Sequence, residues 1–187
     1  MRVPVELAKS YRLLNHGPVT LVTAAAGGRD NVMPAAWVMP IDFAPALVAV
    51  VLEEDSFTRE LVDASGELAL SIPPASMLDA LYAAGQVSGR EGDKWARTGL
   101  ARLPASRVAA PLVDGCLGWL ECRVVERSLE KLDLLVVEAV AAWADDDVWR
   151  DGAWRFEGPD RRTVHHLSGG AFFVTGEARS AKGAKKR

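Results

Sequence analysis

Two extended runs on either side of a turn cluster limit the fold more than any other stretch of the chain. Val19 to Ala24 is rich in β-branched and small residues, Gly27-Gly28-Arg29-Asp30 supplies turn residues, and Asn31 to Met39 runs extended again. This pattern reads as an antiparallel hairpin. Ala46 to Leu52 is continuously apolar, which fits a strand covered on both faces, in a closed barrel or at a dimer interface. Glu67 to Ile72 alternates as a further strand. Cys116 to Val125 and Leu134 to Val140 read as two long strands separated by the charged Glu126 to Asp133 turn region.

Short helices interrupt this framework. Pro4 to Leu14 carries Leu7, Tyr11 and Leu14 at i, i+4 and i+7, the spacing of an amphipathic helix, and Asn15-His16-Gly17-Pro18 stops it. Ser56 to Ala64, ending near Gly66, predicts a helix whose first turn holds the hydroxyls of Ser56 and Thr58. Ser76 to Ala84 predicts another, with Ser76 and Asp79 as a capping box and Gly85 just past its end. Asp93 to Thr98 closes on Gly99 as a third. The expected class is mainly β with short helices.

The chain has 187 residues, 49% of them hydrophobic and 25% charged, which is enough for one domain with a sizeable core. We expect that domain over residues 1–176, followed by a basic, solvated and unstructured tail over 177–187 with Lys182, Lys185, Lys186 and Arg187. With 22 Lys and Arg against 25 Asp and Glu, the formal charge of −3 argues against nucleic-acid binding by phosphate neutralisation. Cys116 and Cys122 do not have the spacing of a zinc or dithiol motif and read as buried free thiols. Glu6 and Lys9 interrupt the start of the chain before a secretory apolar core forms. The longest apolar stretch, Pro45 to Leu52, is far short of the ~20 residues that span a bilayer. No membrane association and a cytoplasmic location are expected.

Neither a Rossmann G-x-G-x-x-G nor a Walker P-loop occurs, and H-E-x-x-H and G-x-S-x-G are absent too. His165 and His166 are adjacent, so on a strand their rings point to opposite faces. That disfavours a metal site but leaves one imidazole able to face a pocket.

What remains suits a phosphate. Ser56 and Thr58 sit where a helix begins, so hydroxyls and free N–H groups can meet an anion there, with Arg59 close by. The loop Ser88-Gly89-Arg90-Glu91-Gly92-Asp93-Lys94-Trp95 adds a hydroxyl, cations and two glycines that admit a ligand to the backbone. Read blandly, these are helix caps and a solvated salt-bridge face. On an extended segment Asn31, Met33, Ala35 and Trp37 share a face, placing an amide and an indole beside small residues where a flat ring can lie. The bland alternative puts Trp37 in the core and Asn31 at the turn.

The ordered set L-L-N-H-G-P-V-T-L-V-T, N-V-M-P-A-A-W-V-M-P, A-L-V-A-V-V-L, S-F-T-R-E-L, V-S-G-R-E-G-D-K-W and H-H-L-S-G-G-A-F-F runs from Leu13 to Phe173. In this it resembles the flavin reductase-like, flavoredoxin-type family. The resemblance implies a Greek-key split β-barrel that binds FMN, as a homodimer with the flavin near the subunit interface. It implies an FMN-dependent oxidoreductase with NADH or NADPH as transient electron donor and an acceptor of unknown identity. The alternatives are an electron carrier without nucleotide turnover, or a barrel that has lost flavin. Carried onto this chain, Asn31, Val32, Met33, Ala35 and Trp37 would contact the flavin ring and ribityl side. Ser56 and Thr58 would hold the phosphate, and Ser88, Gly89 and Lys94 would close over the cofactor. Three departures from the family pattern stand out. Pro34 replaces a common threonine, Trp95 replaces a phenylalanine, and Glu130-Lys131-Leu132-Asp133 lacks the histidine of a G-D-H-T-type segment.

Overall fold

The computed structural model describes residues 1–14, 17–126 and 132–182. Its strands are β1 (Arg2–Pro4), β2 (Thr20–Ala26), β3 (Arg29–Ala35), β4 (Val38–Pro40), β5 (Leu47–Val51), β6 (Glu67–Ile72), β7 (Arg102–Leu103), β8 (Leu112–Val113), β9 (Gly118–Glu126), β10 (Leu134–Asp145), β11 (Trp149–Arg150), β12 (Ala153–Trp154), β13 (Val164–Ser168) and β14 (Ala171–Val174). Among the described residues, the α-helices that accompany them are α1 (Tyr11–Leu14), α2 (Phe57–Ser65), α3 (Leu78–Gln86) and α4 (Lys94–Thr98).

The main sheet is antiparallel, in the order β3-β2-β6-β9-β10-β5-β4, with β1 added to the far end of β10. Its two edge strands, β3 and β4, are consecutive in the chain and separated only by Ala36 and Trp37. Three peptide steps of 3.8 Å cover at most about 11 Å, so the sheet has to curl until its edges nearly meet. Register shifts between Val136 and Val137 and between Ala139 and Ala141 mark bulges that help the twelve-residue β10 bend. The result is a half-barrel with a split between β3 and β4.

At β6 both faces of the sheet are covered, which is why that strand carries almost no polar alternation. Leu68, Leu70 and Ile72 enter the barrel core with Val22, Val50, Leu120 and Val137, and α2 plugs that core through Phe57, Leu61 and Val62. Ala69 faces the other way, into a second core with Leu21, Leu81, Trp95 and Trp119. Trp149 is also buried, and Trp143 and Trp154 are half-buried against the two cores. Cys116 and Cys122 are buried free thiols, and burial pushes both well above the ordinary thiol range.

Three expectations are corrected. The segment from Pro4 to Leu14 is not one helix: β1 ends at Pro4, a 3₁₀ turn covers Leu7–Lys9, and only Tyr11–Leu14 is α-helical. Backbone bonding of the N-terminal strand to β10 outweighs the helical spacing. Within the single chain β5 buries Val48 and Val50 and leaves Leu47, Ala49 and Val51 half-exposed, so of the two coverings expected for it the barrel supplies one face. Ser76 and Asp79 form no capping box, because Ser76 lies inside a 3₁₀ turn (Ala75–Met77), and Gly85 sits within α3. Trp37 is not in the core: β3 ends at Ala35, the chain bends, and the indole is 74% exposed. Of the tail, residues 177–181 are exposed and without regular structure, and 183–187 lie outside the described residues.

Candidate functional site

Gly27 and Gly28 both adopt positive φ and close a two-residue turn between β2 and β3. Ala26 and Arg29 therefore form a hydrogen-bonded pair, and alternation makes Ala25–Asp30, Thr23–Val32 and Leu21–Pro34 the non-bonded pairs. The backbone groups of Asp30, Val32 and Pro34 thus point away from β2, along the free edge at the split. Pro34 sacrifices no ladder bond there, but it has no N–H to offer.

Side chains of β3 alternate between the two cores. Asn31 is 3% exposed, Met33 is half-buried against the barrel core and Ala35 is buried within it, whereas Val32 is buried in the second core. Of the residues expected to touch a flat ring, Asn31, Val32 and Ala35 turn their side chains inward and Met33 does so in part, while Trp37 beyond the strand is exposed; β3 also leaves its edge backbone facing the split.

Asn31 Nδ2 donates to Thr58 Oγ1 at 2.9 Å, and Thr58 is fully buried. Asn31 Oδ1 is buried without a hydrogen-bond partner among the described residues. Gly89 covers it so closely that a Cβ at this position would stand 2.2 Å from Asn31 Oδ1 and 2.8 Å from the Phe57 ring. Only glycine fits.

Ser56 caps α2, its Oγ accepting from Arg59 N at 3.2 Å, and Ser88 Oγ accepts from Arg90 N at 3.2 Å. Each hydroxyl keeps its own proton to donate. Arg90 ties this loop to α2, donating to the Asp55 carbonyl at 2.9 Å and pairing with Glu60 at 3.1 Å. Arg59 turns away from a ligand role. It is buried, and it donates through Nε to both Asp63 oxygens and through Nη1 to the Leu52 carbonyl.

A cleft of about 370 Å³ opens over these groups, lined by Gly28, Arg29, Gly89, Arg90, Lys94 and Arg102 together with Phe57 and two aspartates. Arg29 and Arg90 lie over the Phe57 ring at 4.3 and 5.5 Å. Arg102 forms a two-point pair with Asp30, which also accepts from Trp95 Nε1 at 3.0 Å. Lys94 is only 6% exposed; its carbonyl accepts from Thr98 Oγ1 at 2.9 Å, and its ammonium has no ion pair or hydrogen bond among the described residues. Burial lowers its pKa from the usual lysine value to about 8. A largely buried ammonium that faces a cleft and is paired with no carboxylate among the described residues favours an anion there.

Of the residues picked out from sequence, Asn31, Thr58 and Gly89 are in one contact cluster, Gly89 and Lys94 line the cleft, and Ser56 and Ser88 adjoin its lining residues Phe57 and Gly89 in the chain. Trp37 stands apart at the split. Arg29, Asp30 and Arg102 were not foreseen. Arg29 and Asp30 lie in the turn cluster, and only closure of the hairpin against α4 brings them here. Leu132 is exposed and Asp133 is bonded to the backbone of Leu52 and Glu54, while Glu130 and Lys131 lie outside the described residues.

Residues 12–158 match the family model described as flavin reductase like domain. The uncharacterized protein YddH of Escherichia coli K12 is 38% identical over 180 residues, covering 94% of this chain and 95% of that protein. Among solved structures, an FMN-binding domain of a flavin reductases-like enzyme from Shewanella baltica OS155 superposes with a TM-score of 0.94 at 37% identity, over 97% of this chain and 98% of the other. A split barrel domain protein from Shewanella frigidimarina shares the fold at a TM-score of 0.77 and 16% identity, over 96% and 94% of the two chains. With its curled antiparallel half-barrel and this match over most of its length, the chain belongs to the flavin reductase-like domain family and has the split-barrel fold.

Proposed function

We propose that this protein binds FMN and acts as an NAD(P)H-dependent flavin reductase-type oxidoreductase. The observation that carries the reading is the largely buried Lys94, whose ammonium has no partner among the described residues, in a cleft that Arg29, Arg90 and Arg102 also line. A ligand that answers these cations is an anion, and the phosphate of FMN is one.

In this reading Ser56, Ser88 and Lys94 hold the phosphate, with Arg29 adding charge at the rim. Asn31, fixed by Thr58, keeps its enclosed Oδ1 under Gly89 and so sets where the Ser88–Gly89 loop stands over the cofactor. The edge of β3 runs about 20 Å from Asp30 to Ala36, enough to carry a phosphate at one end and a tricyclic ring at the other. Val32 offers an N–H and a carbonyl to that ring, and Pro34 a carbonyl alone. When bound, FMN supplies the hydride and electron chemistry, and the chain's task is to position it.

We further propose a homodimer. Trp37, Met39, Ile41 and Phe43 are 45–74% exposed, in and beside edge strand β4, and Leu47, Ala49 and Val51 of the adjacent β5 are half-open. A second copy covering this face would bury the uncovered side of β5 and bring Trp37 to the interface.

An absorption spectrum after FMN saturation and desalting, followed by anaerobic NADH and then NADPH, tests the function. Retained flavin that bleaches with either nucleotide is the expected result. Retained flavin that neither bleaches makes the protein an electron carrier, and a colourless protein overturns the FMN reading.

A further inference from the structure

Arg29, Arg90 and Arg102 bring guanidinium groups to the cleft over Phe57, and these stay protonated, whereas Lys94 brings an amine, which becomes a nucleophile on losing its proton. The two aspartates that line the cleft are engaged elsewhere. Asp93 caps α4, its carboxylate accepting from Trp95 N at 3.0 Å, and Asp30 is held by Arg102 and by Trp95 Nε1. Lys94 is thus left as the one side-chain amine of the cleft, largely buried and with no carboxylate on its nitrogen among the described residues.

That setting makes it reactive. Burial brings its pKa down to about 8, so at pH 7 about a tenth of Lys94 is free amine, roughly two orders of magnitude more than in a lysine of ordinary pKa. Lys9, which pairs with Glu6, and Lys182 are exposed instead. An anchor for an anion lines the same cleft: Arg29 has no ion pair among the described residues, and its guanidinium lies 4.3 Å from the centre of the Phe57 ring. A nucleophilic amine and a guanidinium on one cleft suit a carbonyl compound that carries a phosphate. The cleft, at about 370 Å³, is near the lower end of ligand-site volumes, which favours a compound of a few carbons.

We propose that Lys94 is a covalent modification site, forming a reversible imine with small phosphorylated aldehydes whose phosphate the cleft arginines hold. The lone pair of Lys94 Nζ bonds to the carbonyl carbon, the carbon–oxygen bond breaks, and the oxygen leaves as water with both protons of the nitrogen. Nothing is oxidised or reduced, and hydrolysis returns the amine. That FMN excludes the aldehyde rests on the FMN reading, because both phosphates would use the same cations. The imine itself does not.

The test is to treat flavin-free and FMN-saturated protein with glyceraldehyde 3-phosphate, fix the imine with borohydride and map the modified lysines by mass spectrometry. In flavin-free protein Lys94 should be labelled about tenfold faster than Lys9 or Lys182. Glyceraldehyde, which lacks the phosphate, should label Lys94 about tenfold more slowly, and Arg29→Gln should slow labelling by the phosphate ester at Lys94 but not at Lys182. Labelling of Lys94 no faster than of the exposed lysines, or equally fast with both aldehydes, would overturn the proposal. FMN should protect Lys94 alone. Selective labelling of Lys94 that FMN does not slow supports the imine site and counts against the FMN reading, whereas retained FMN with no labelling of Lys94 in the flavin-free form does the reverse.

Discussion

The amide of Asn31 and the hydroxyl of Thr58 meet at 2.9 Å in a fully enclosed setting, joining β3 to the first turn of α2. One residue comes from the edge of the barrel and the other from the helix that plugs it, so this single bond sets how the helix start stands against the strand. Thr58→Val keeps the shape and removes the acceptor, leaving the whole Asn31 side chain unpartnered. We expect a loss of about 1–3 kcal/mol in urea unfolding, with FMN retention weakened as well. Unchanged stability would mean that water reaches the Asn31 amide.

Gly89→Ala is a steric test of the same place. The new methyl would stand inside contact distance of Asn31 and Phe57, so the loop has to lift. The expected outcome is a fall in FMN affinity of tenfold or more with a much smaller effect on the melting temperature, because Gly89 lies in a short 3₁₀ turn outside both cores.

Lys94 gives the cleft a pH signature. Its folded pKa of about 8 lies below the ordinary lysine value, so the unfolded chain binds the proton more tightly. Flavin-free protein should gain stability as pH rises through the window from about 8 to the unfolded value, and Lys94→Met should remove that gain. FMN affinity should fall over the alkaline range as the ammonium is lost, and the variant should show a weaker, flatter profile. Fluorescence titration of FMN at several pH values checks this.

Glu121 predicts the acid limit. It is fully buried, and its carboxylate accepts from Ser106 N, Ser106 Oγ and Trp143 Nε1, each at 2.9 Å, and from Arg107 N. Burial alone would raise its pKa, but the donors win and hold the group below the usual glutamate value. The stabilisation is therefore complete above the unfolded pKa of about 4.3 and lost as pH falls through the lower folded value. Glu121→Ala should cost about 3 kcal/mol at neutral pH, with a gap that narrows in acid.

Trp37→Asp tests the dimer. A charge at this exposed indole should shift the sedimentation coefficient to that of a monomer while leaving the far-ultraviolet circular dichroism intact.

The framework was legible because it depends on local chemistry. The β2–β3 turn rests on two glycines, α2 ends on Gly66 and α4 on Gly99, and Asp93 caps α4 with its own carboxylate. What the sequence did not reveal depends on pairing across long separations. The helical spacing of Leu7, Tyr11 and Leu14 is real, yet β1 binds to β10 more than 130 residues away, and no local pattern reports that. The site divides the same way. Asn31, Ser56, Gly89 and Lys94 could be picked from the sequence, whereas Arg29 and Arg102 join only after hairpin and helix dock, and the burial of Lys94 shows only in the fold.

Pro34 bears on more than the flavin. An open strand edge invites a neighbouring chain to extend the sheet, and β3 is such an edge. A strand arriving there would need an N–H from this residue and find none, and the bend at Ala36 would end its register one step later. Pro34 and the bend work against extension of the sheet along this edge and leave the Val32 pair and one carbonyl for a small molecule.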